Sequence, residues 1–489
     1  MALVYVKNKT NGTTYVYEST DYWDKEKKQS RSKRVCVGKL DAEGNLITSK
    51  RFFDQMPIPI KPGPVPATQI RHYFYGATYL FDVIGEKLGI AADLKSCFPQ
   101  HYKQILSVSY FLILEDRNSL IRFPKWDRLH KHPCGTNIPS QRSSELFSSI
   151  SEEAKEQFFR LQGKRRSENE YWAYDTTSIS SYSASLKQVK YGLNKDHDPL
   201  PQINLALLFG EESNLPFYYR KLAGNISDVK TVKNLLADID FLGLGKVKLV
   251  MDRGFYSVEN IDALYQNHLK FLVSAKVSLK FIQKELVKVR DTLRTRANYN
   301  SAYQLYAHTE MIYWDYSQER PYKGDIVEDK RRMYLHMYFN GEKALEHENN
   351  FNAILDMLEE ELVSGKHNPE HEKQYAKYFD ISTTPVRGTK VNIKQEAVIE
   401  AEKDYGFFAL ISNEIKDPVK ALEIYRNKDL VEKAFGNLKE RLNLRRTAVS
   451  LDSALEGKLF VQFIALIYLS YIKKQMSGQG SGYYCKNSC

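Results

Sequence analysis

Hydrophobic and polar positions along this chain follow two rhythms, and the change falls near residue 170. From about Thr68 to Gln162, apolar residues recur at helical spacing in YLFDVIGEKLGI, YKQILSVSYFLIL and SEEAKEQFFRL. That spacing predicts short helices joined by polar turns. From Glu170 the pattern is strand-like in residues 171–177 (YWAYDTT), 203–209 (INLALLF) and 217–221 (FYYRK), the second apolar enough to be buried on both faces. A helix is predicted over Asp228–Leu242, followed within VKLVMDRGFYS (247–257) by a buried strand that stops at Asp252. A helix capped by Ser257 and a strand at 270–275 (KFLVSA) come next.

Three strands, helix, strand, helix, strand is the order of a ribonuclease H-like α/β domain. Before it, LVYV and TYVY flank Asn11-Gly12, a hairpin signal, and a third strand is predicted at Val35–Leu40 after the basic run Lys25–Arg34. Lys61–Pro66 (KPGPVP) reads as a linker. The charged stretch Leu279–Ala397 is too long for a loop and reads as an inserted subdomain. Strand-like GFFALIS (406–412) then leads to a helix signalled by Asp417-Pro418, an N-cap with proline at the first helical position. The expected organisation is a small basic β region (1–60), a helical DNA-binding region (68–165), an α/β core in two parts (169–278 and 398–476) around the insertion (279–397), and a disordered tail (477–489).

Composition narrows the partner. The chain has 489 residues, a net charge of +11 and 42% hydrophobic residues, which suits a globular protein with a polyanionic partner such as nucleic acid. Five cysteines form no dense framework, so a reducing cytosol is expected. The most apolar stretch, Leu459–Ile472, includes Gln462 and Ser470 and reads as a buried core helix, not a membrane span. Cys97, His101, His130, His132 and Cys134 match no standard zinc spacing and read as satisfied histidines and buried thiols.

The chemistry concentrates in YRNKDLVEKAFGNLK (425–439). At helical pitch Tyr425, Lys428, Glu432 and Lys439 share one stripe, beside an apolar stripe of Ile424, Val431, Leu438 and Leu442. In the predicted sheet Asp175 and Asp252 come together near the carboxyl ends of neighbouring strands, with Glu432 facing them from a packed helix. Three converging carboxylates repel one another unless cations neutralise them, and hard oxygen ligands select Mg²⁺, or Mn²⁺ in its place. Two such ions suit phosphodiester chemistry. Lys428 and Lys439 then act as charges on flanking phosphates, with Tyr425 hydrogen-bonding or stacking there and Arg253 and Arg426 as further DNA contacts.

The chain resembles the DDE transposases of bacterial insertion sequences, in the superfamily named after insertion sequence 4 and its 1634-type group. The resemblance rests on YDTTS around Asp175, LAGNISD at 222–228, MDRGFYS around Asp252, and the C-terminal helix. That helix is similar to the family's Y-x2-R-x3-E-x6-K signature at Tyr425, Glu432 and Lys439, with Lys428 where the family has arginine. A lysine keeps the charge and loses the two-pronged phosphate fork. The resemblance implies a ribonuclease H-like core with a β-rich insertion, and Asp175, Asp252 and Glu432 as ligands of two Mg²⁺ ions. It further implies a homodimer on double-stranded DNA, cleavage at terminal inverted repeats and joining to target DNA, in the bacterial cytoplasm at the nucleoid. Some relatives pass through a DNA hairpin with an aromatic residue stacking a flipped base, and Trp314 is the tryptophan inside the insertion. Two other readings stay open at this point: a structure-selective nuclease on the same fold, and a transposase-derived DNA-binding repressor.

Overall fold

The computed structural model describes residues 2–24, 27–49, 72–116, 119–165, 170–183, 185–244, 247–319, 326–384 and 388–480. The linker at 61–66 and residues 481–489 of the expected tail lie outside the described residues. The chain divides into two compact units, residues 1–72 and 73–489.

In the first unit, β1 (Ala2–Lys7), β2 (Thr14–Asp24), β3 (Gln29–Leu40) and β4 (Leu46–Thr48) form one antiparallel sheet in sequence order. The Asn11-Gly12 hairpin is present with a longer loop than a two-residue turn. Asn8 and Thr13 close it by a backbone bond, and Gly12 has a positive φ of 69°. The basic run is not all loop: β3 begins at Gln29, so Arg31, Lys33 and Arg34 stand exposed along a strand paired with β2.

The second unit is built on one large mixed sheet. Its strands include β5 (Tyr171–Ser181), β6 (Gln202–Gly210), β7 (Pro216–Ala223), β8 (Lys248–Met251) and β9 (Lys270–Ala275). Beyond them lie β10 (Tyr299–Asn300), β11 (Leu305–Glu319), β12 (Ile326–Phe339) and β15 (Phe407–Ser412). The order across the sheet is β7-β6-β5-β8-β9-β15-β12-β11-β10. β5, β6 and β7 form an antiparallel meander, β8 runs parallel to β5, and β9 runs parallel to β8.

The element order predicted from Glu170 to Ala275 is therefore the one found. The stretch 279–397 differs from an insertion standing wholly apart. β10, β11 and β12 extend the main sheet through β15, while only the hairpin of β13 (Phe379–Thr384) and β14 (Gly388–Ile393) forms a separate sheet. A small core of its own, including Phe351, Leu358 and Tyr375, supports that part.

Side-chain alternation decides which face each residue serves. Trp172, Tyr174, Ala206 and Leu208 enter one core together with the helices Asp228–Phe241 and Val258–Gln266. Their alternates Ala173, Leu205 and Leu207 enter the other core, shared by helices of residues 76–164, the helix Asp429–Gly436 and the helix Asp452–Gly480. β6 is buried along its whole length, as its unbroken apolar run requires. The Asp452–Ser477 segment is long and apolar enough to cross a membrane, but 72% of its apolar window is buried inside the protein, packed on Phe98, Phe159 and Tyr110. Helix continues to Gly480, so Ser477–Gly480 of the expected tail is ordered backbone.

Candidate active site

The end of β8 and the middle of β5 set the frame, rather than two strand ends as expected, because β5 continues past Asp175 to Ser181. β5 and β8 pair in parallel with Tyr174 opposite Met251, so the next residues, Asp175 and Asp252, are neighbours at the carboxyl end of β8. Asp175 shares the face of Ala173, and Asp252 caps the short turn Arg253–Phe255, accepting from the Arg253 backbone N–H at 2.7 Å. The face they share is covered by the segment that carries Tyr425, Lys428 and Glu432.

That segment is not one regular helix. It starts at Pro418 with Asp417 accepting from Lys420 N–H at 2.7 Å, as the sequence signals. It pauses at Lys428, resumes over Asp429–Gly436, and widens into a π-helical turn at Asn437–Arg441. A straight helix would keep Lys439 on the stripe of Glu432; the wide turn instead buries Lys439, which donates to Asp196 at 2.6 Å.

Helix and strands are joined at two points. The Tyr425 hydroxyl donates to Asp252 at 2.8 Å. The buried Lys428 ammonium stands 3.7 Å from Asp175 and donates to Glu432 at 2.8 Å. Glu432 itself is 58% exposed. Arg253 and Arg426 are exposed, and the Arg426 guanidinium lies over the Tyr303 ring. Trp314 is not brought here. It is buried on β11, its indole N–H donating to Asp262 at 2.7 Å and its ring edge-on to Phe281. Five strand spacings separate it from β5 in the sheet order, about 24 Å.

Three participants escaped the sequence reading. Lys195 reaches Asp228 at 3.1 Å and Asp175 at 3.7 Å, and donates to the Thr176 hydroxyl and carbonyl at 2.8 Å. Thr176 in turn donates to Asp228. Asp228 reads as a helix-start residue, and it does open its helix, but its carboxylate turns to Thr176. In the fold Gly254 of the MDRGFYS stretch packs beside the Asp228 carboxylate, a proximity that no local pattern announces. Lys195 lies in the loop between β5 and β6, where no periodicity marks it.

The charges respond to this packing. Burial is the largest influence on Asp175 and holds its carboxyl above the usual range despite Lys195 and Lys428. Burial also pushes Asp252 up, but the Arg253 N–H, the Tyr425 hydroxyl and the Lys428 charge outweigh it and hold that carboxyl low. Lys428 loses some solvation by burial, yet Asp175, Glu432 and Asp252 raise its pKa overall. Burial and the Asp252 charge raise the Tyr425 phenol, so it stays a proton donor.

Among the described residues, no three histidine, cysteine or acidic side chains stand together closely enough to hold a metal ion. The donor chemistry nonetheless fits a hard cation. Asp175, Asp228, Asp252 and Glu432 are four carboxylates against the ammonium groups of Lys195 and Lys428 and the nearby Arg253, so acidic oxygens remain in excess. The Lys428–Glu432 bond keeps the third predicted ligand from the two aspartates. His132, one of the histidines near the cysteines, is held by Ser107 and Asp127.

Fold and carboxylates together define an acid-centred site beside the end of β8 in a mixed α/β sheet. Residues 170–468, more than half of the chain, match the family described as the transposase DDE domain, and the chain belongs to that family. The match contains Asp175, Asp252 and Glu432, and makes the chain a transposase, of the class that cleaves and transfers nucleic-acid strands. No curated protein matches the chain. A solved structure of the piggyBac transposase synaptic complex with hairpin DNA is 10% identical, with a TM-score of 0.34 over 82% of this chain and 67% of that one. That likeness is too slight to assign a shared fold.

Proposed function

We propose that this transposase serves a bacterial insertion sequence of the insertion sequence 4-like superfamily, 1634-type group. In this reading it binds the terminal inverted repeats as a homodimer on double-stranded DNA, cleaves the ends and joins them to target DNA, in the cytoplasm at the nucleoid. The observation that carries the reading is the register of β5 and β8, which sets Asp175 beside Asp252 under Tyr425 and Lys428. The meander β5–β7 followed by β8 and β9 in parallel supports a ribonuclease H-like core.

Asp175, Asp252 and Glu432 would hold two Mg²⁺ or Mn²⁺ ions, Glu432 giving up its bond to Lys428. Bound there, the ions would activate the attacking oxygen and stabilise the leaving oxygen at a phosphodiester. The protein's own groups orient the site. Tyr425 fixes the Asp252 carboxylate with its proton, and Lys195 with Thr176 fixes Asp228 beside Asp175. Lys428, once released from Glu432, and Lys195, each 3.7 Å from Asp175, are the ammonium groups placed to meet a flanking phosphate. Lys439, tied to Asp196, steadies the loop between β5 and β6 in this conformation.

Inverted repeats found beside the gene, made as labelled duplexes, test the reading with Mg²⁺ against Asp252→Ala and EDTA controls. Cleavage at the repeat boundary with joining to a plasmid, absent in both controls, is expected. Cleavage without joining would favour the nuclease, and sequence-selective binding without cleavage would favour the repressor.

A further inference from the structure

A second charged cavity lies away from the carboxylates. It has a volume of about 300 Å³ and is bounded by the Leu120–Arg122 turn, the start of the helix Ser140–Ser149, the turn at 442–448, and one side of the Asp452–Gly480 helix. Its polar lining is Ser119, Ser140, Asn443, Arg446, Lys458 and Gln462, with two cations and no carboxylate.

We propose that this cavity binds a phosphate group of the DNA backbone. Lys458 has no ion-pair or hydrogen-bond partner among the described residues, although it sits on a helix packed into the core. Lys458 is half-buried, and its ammonium opens onto the cavity, where an anion would be its natural partner. Burial alone acts on it and lowers its pKa, with no neighbouring charge to compensate. The buried amide of Gln462, one turn further along, donates one N–H to the Leu442 carbonyl and carries a second N–H that an acceptor in the cavity could take. The helix Ser140–Ser149 starts after Pro139 without a side-chain cap, and Ser140 at that end faces the cavity. Arg446 is anchored by Asp198 and the Tyr182 hydroxyl, which fixes one edge of its guanidinium.

A comparable cavity of about 320 Å³ elsewhere shows what self-neutralisation looks like. There Lys155 and Lys221 meet Glu456, and Arg220 meets Asp238. Nothing of that kind answers Lys458.

The source of the phosphate follows from position. Arg446 pairs with Ser180 on β5, the strand that carries Asp175 five residues earlier. Five residues of strand span about 17 Å, which is about five base-pair steps of a duplex. A duplex laid on the carboxylates and running along β5 would come within reach of Arg446 at the cavity edge. This step rests on the proposed action on DNA; the anion site itself does not.

The test uses the full chain with Lys458→Met, with Lys458→Gln as a second neutral variant in case the first does not fold, and with Lys458→Arg as the charge-retaining control. Melting is compared in phosphate and in chloride at matched ionic strength, and binding of a labelled duplex is followed across salt concentrations. Phosphate is expected to raise the melting temperature of the parent protein and of Lys458→Arg, but not of the neutral variants. The neutral variants are also expected to lower the slope of log affinity against log salt by about 0.9, one phosphate contact. Unchanged phosphate response and unchanged slope would overturn the site. A lost phosphate response with an unchanged slope would overturn the DNA source and leave a small-phosphate pocket. A Lys458-dependent phosphate response in a protein that binds no DNA would uphold the cavity and sink the proposed function instead.

Discussion

The candidate active site has a strand half and a helix half, and they are held by different physics. Asp175 and Asp252 are fixed by hydrogen-bond register: moving either relative to the other would require breaking β5 from β8, with Val250 and Ala173 buried directly behind them. Glu432 is a mostly exposed side chain on a helix, tied to the rest by the Lys428 ammonium. One half is made by the fold and is present before any ligand. The other is poised by a single cation standing among three carboxylates, and a divalent ion would have to replace that arrangement. The teaching is that geometry and electrostatics divide the labour, and substitutions should separate them.

The largest effect should come from the strand half. Asp252→Asn keeps the shape and the cap while removing the charge, and cleavage of an end duplex is expected to fall by about 10⁴-fold or more. Asp175→Asn should match it. Residual cleavage near the parent rate in either would break the comparison at its root. Next in size is Lys428→Met. It leaves the buried Asp175 and the neighbouring Asp252 without the ammonium between them and Glu432, and stability is expected to drop by about 3 kcal/mol in a urea titration. The pKa of Lys428 is raised in the folded state. Its contribution is therefore full below the free-lysine value of roughly 10.4 and fades only as pH climbs through the higher folded value. The same variant should gain more melting temperature from added Mn²⁺ than the parent does, because the ion no longer competes with an ammonium.

How much of this was legible in the sequence depended on whether a residue's role was local. Asp175 and Asp252 follow apolar runs that mark their strands, so the pattern alone gives their positions, while their pairing is drawn from the predicted sheet and the motifs around them. The Asp417-Pro418 start is equally local, and the structure shows that cap. Lys439 was legible as a charge and not as a position, since the π-helical turn at Asn437–Arg441 departs from the regular helical period. Lys195 and Asp228 were invisible as a pair because 32 residues of chain lie between them and only the folded sheet brings them together. The extension of the main sheet by β10–β12 was hidden for the same reason: strand partners far apart in sequence leave no local mark.

A smaller effect tests the link between the halves. Tyr425→Phe removes the hydroxyl that holds Asp252, and should cost about 1 kcal/mol at pH 7, reduced from a fully buried charged hydrogen bond because the carboxylate is partly solvated. The sign with pH is fixed by the depressed carboxyl of Asp252. Its contribution is present above the unfolded value of about 3.9 and is lost as pH falls through the lower folded value. The deficit of Tyr425→Phe relative to the parent should therefore shrink as urea midpoints are measured from pH 7 down toward pH 3. A deficit constant with pH would mean that the phenol serves packing alone.

The smallest stability change expected is for Glu432→Gln, and it is the sharpest discriminator. The Lys428–Glu432 bond is short, but its acidic partner is largely in water, and exposed pairs of this kind contribute little. Lys428 keeps Asp175 as a partner in the variant, so no buried charge is abandoned. The urea midpoint should stay within about 0.5 kcal/mol of the parent, while Mn²⁺-dependent cleavage falls by about 10²-fold or more. A large loss of stability would place Glu432 among the groups that hold the fold, and the division between the halves would fail. Unchanged stability with lost cleavage would leave Glu432 a single role, the one it can fill only after parting from Lys428.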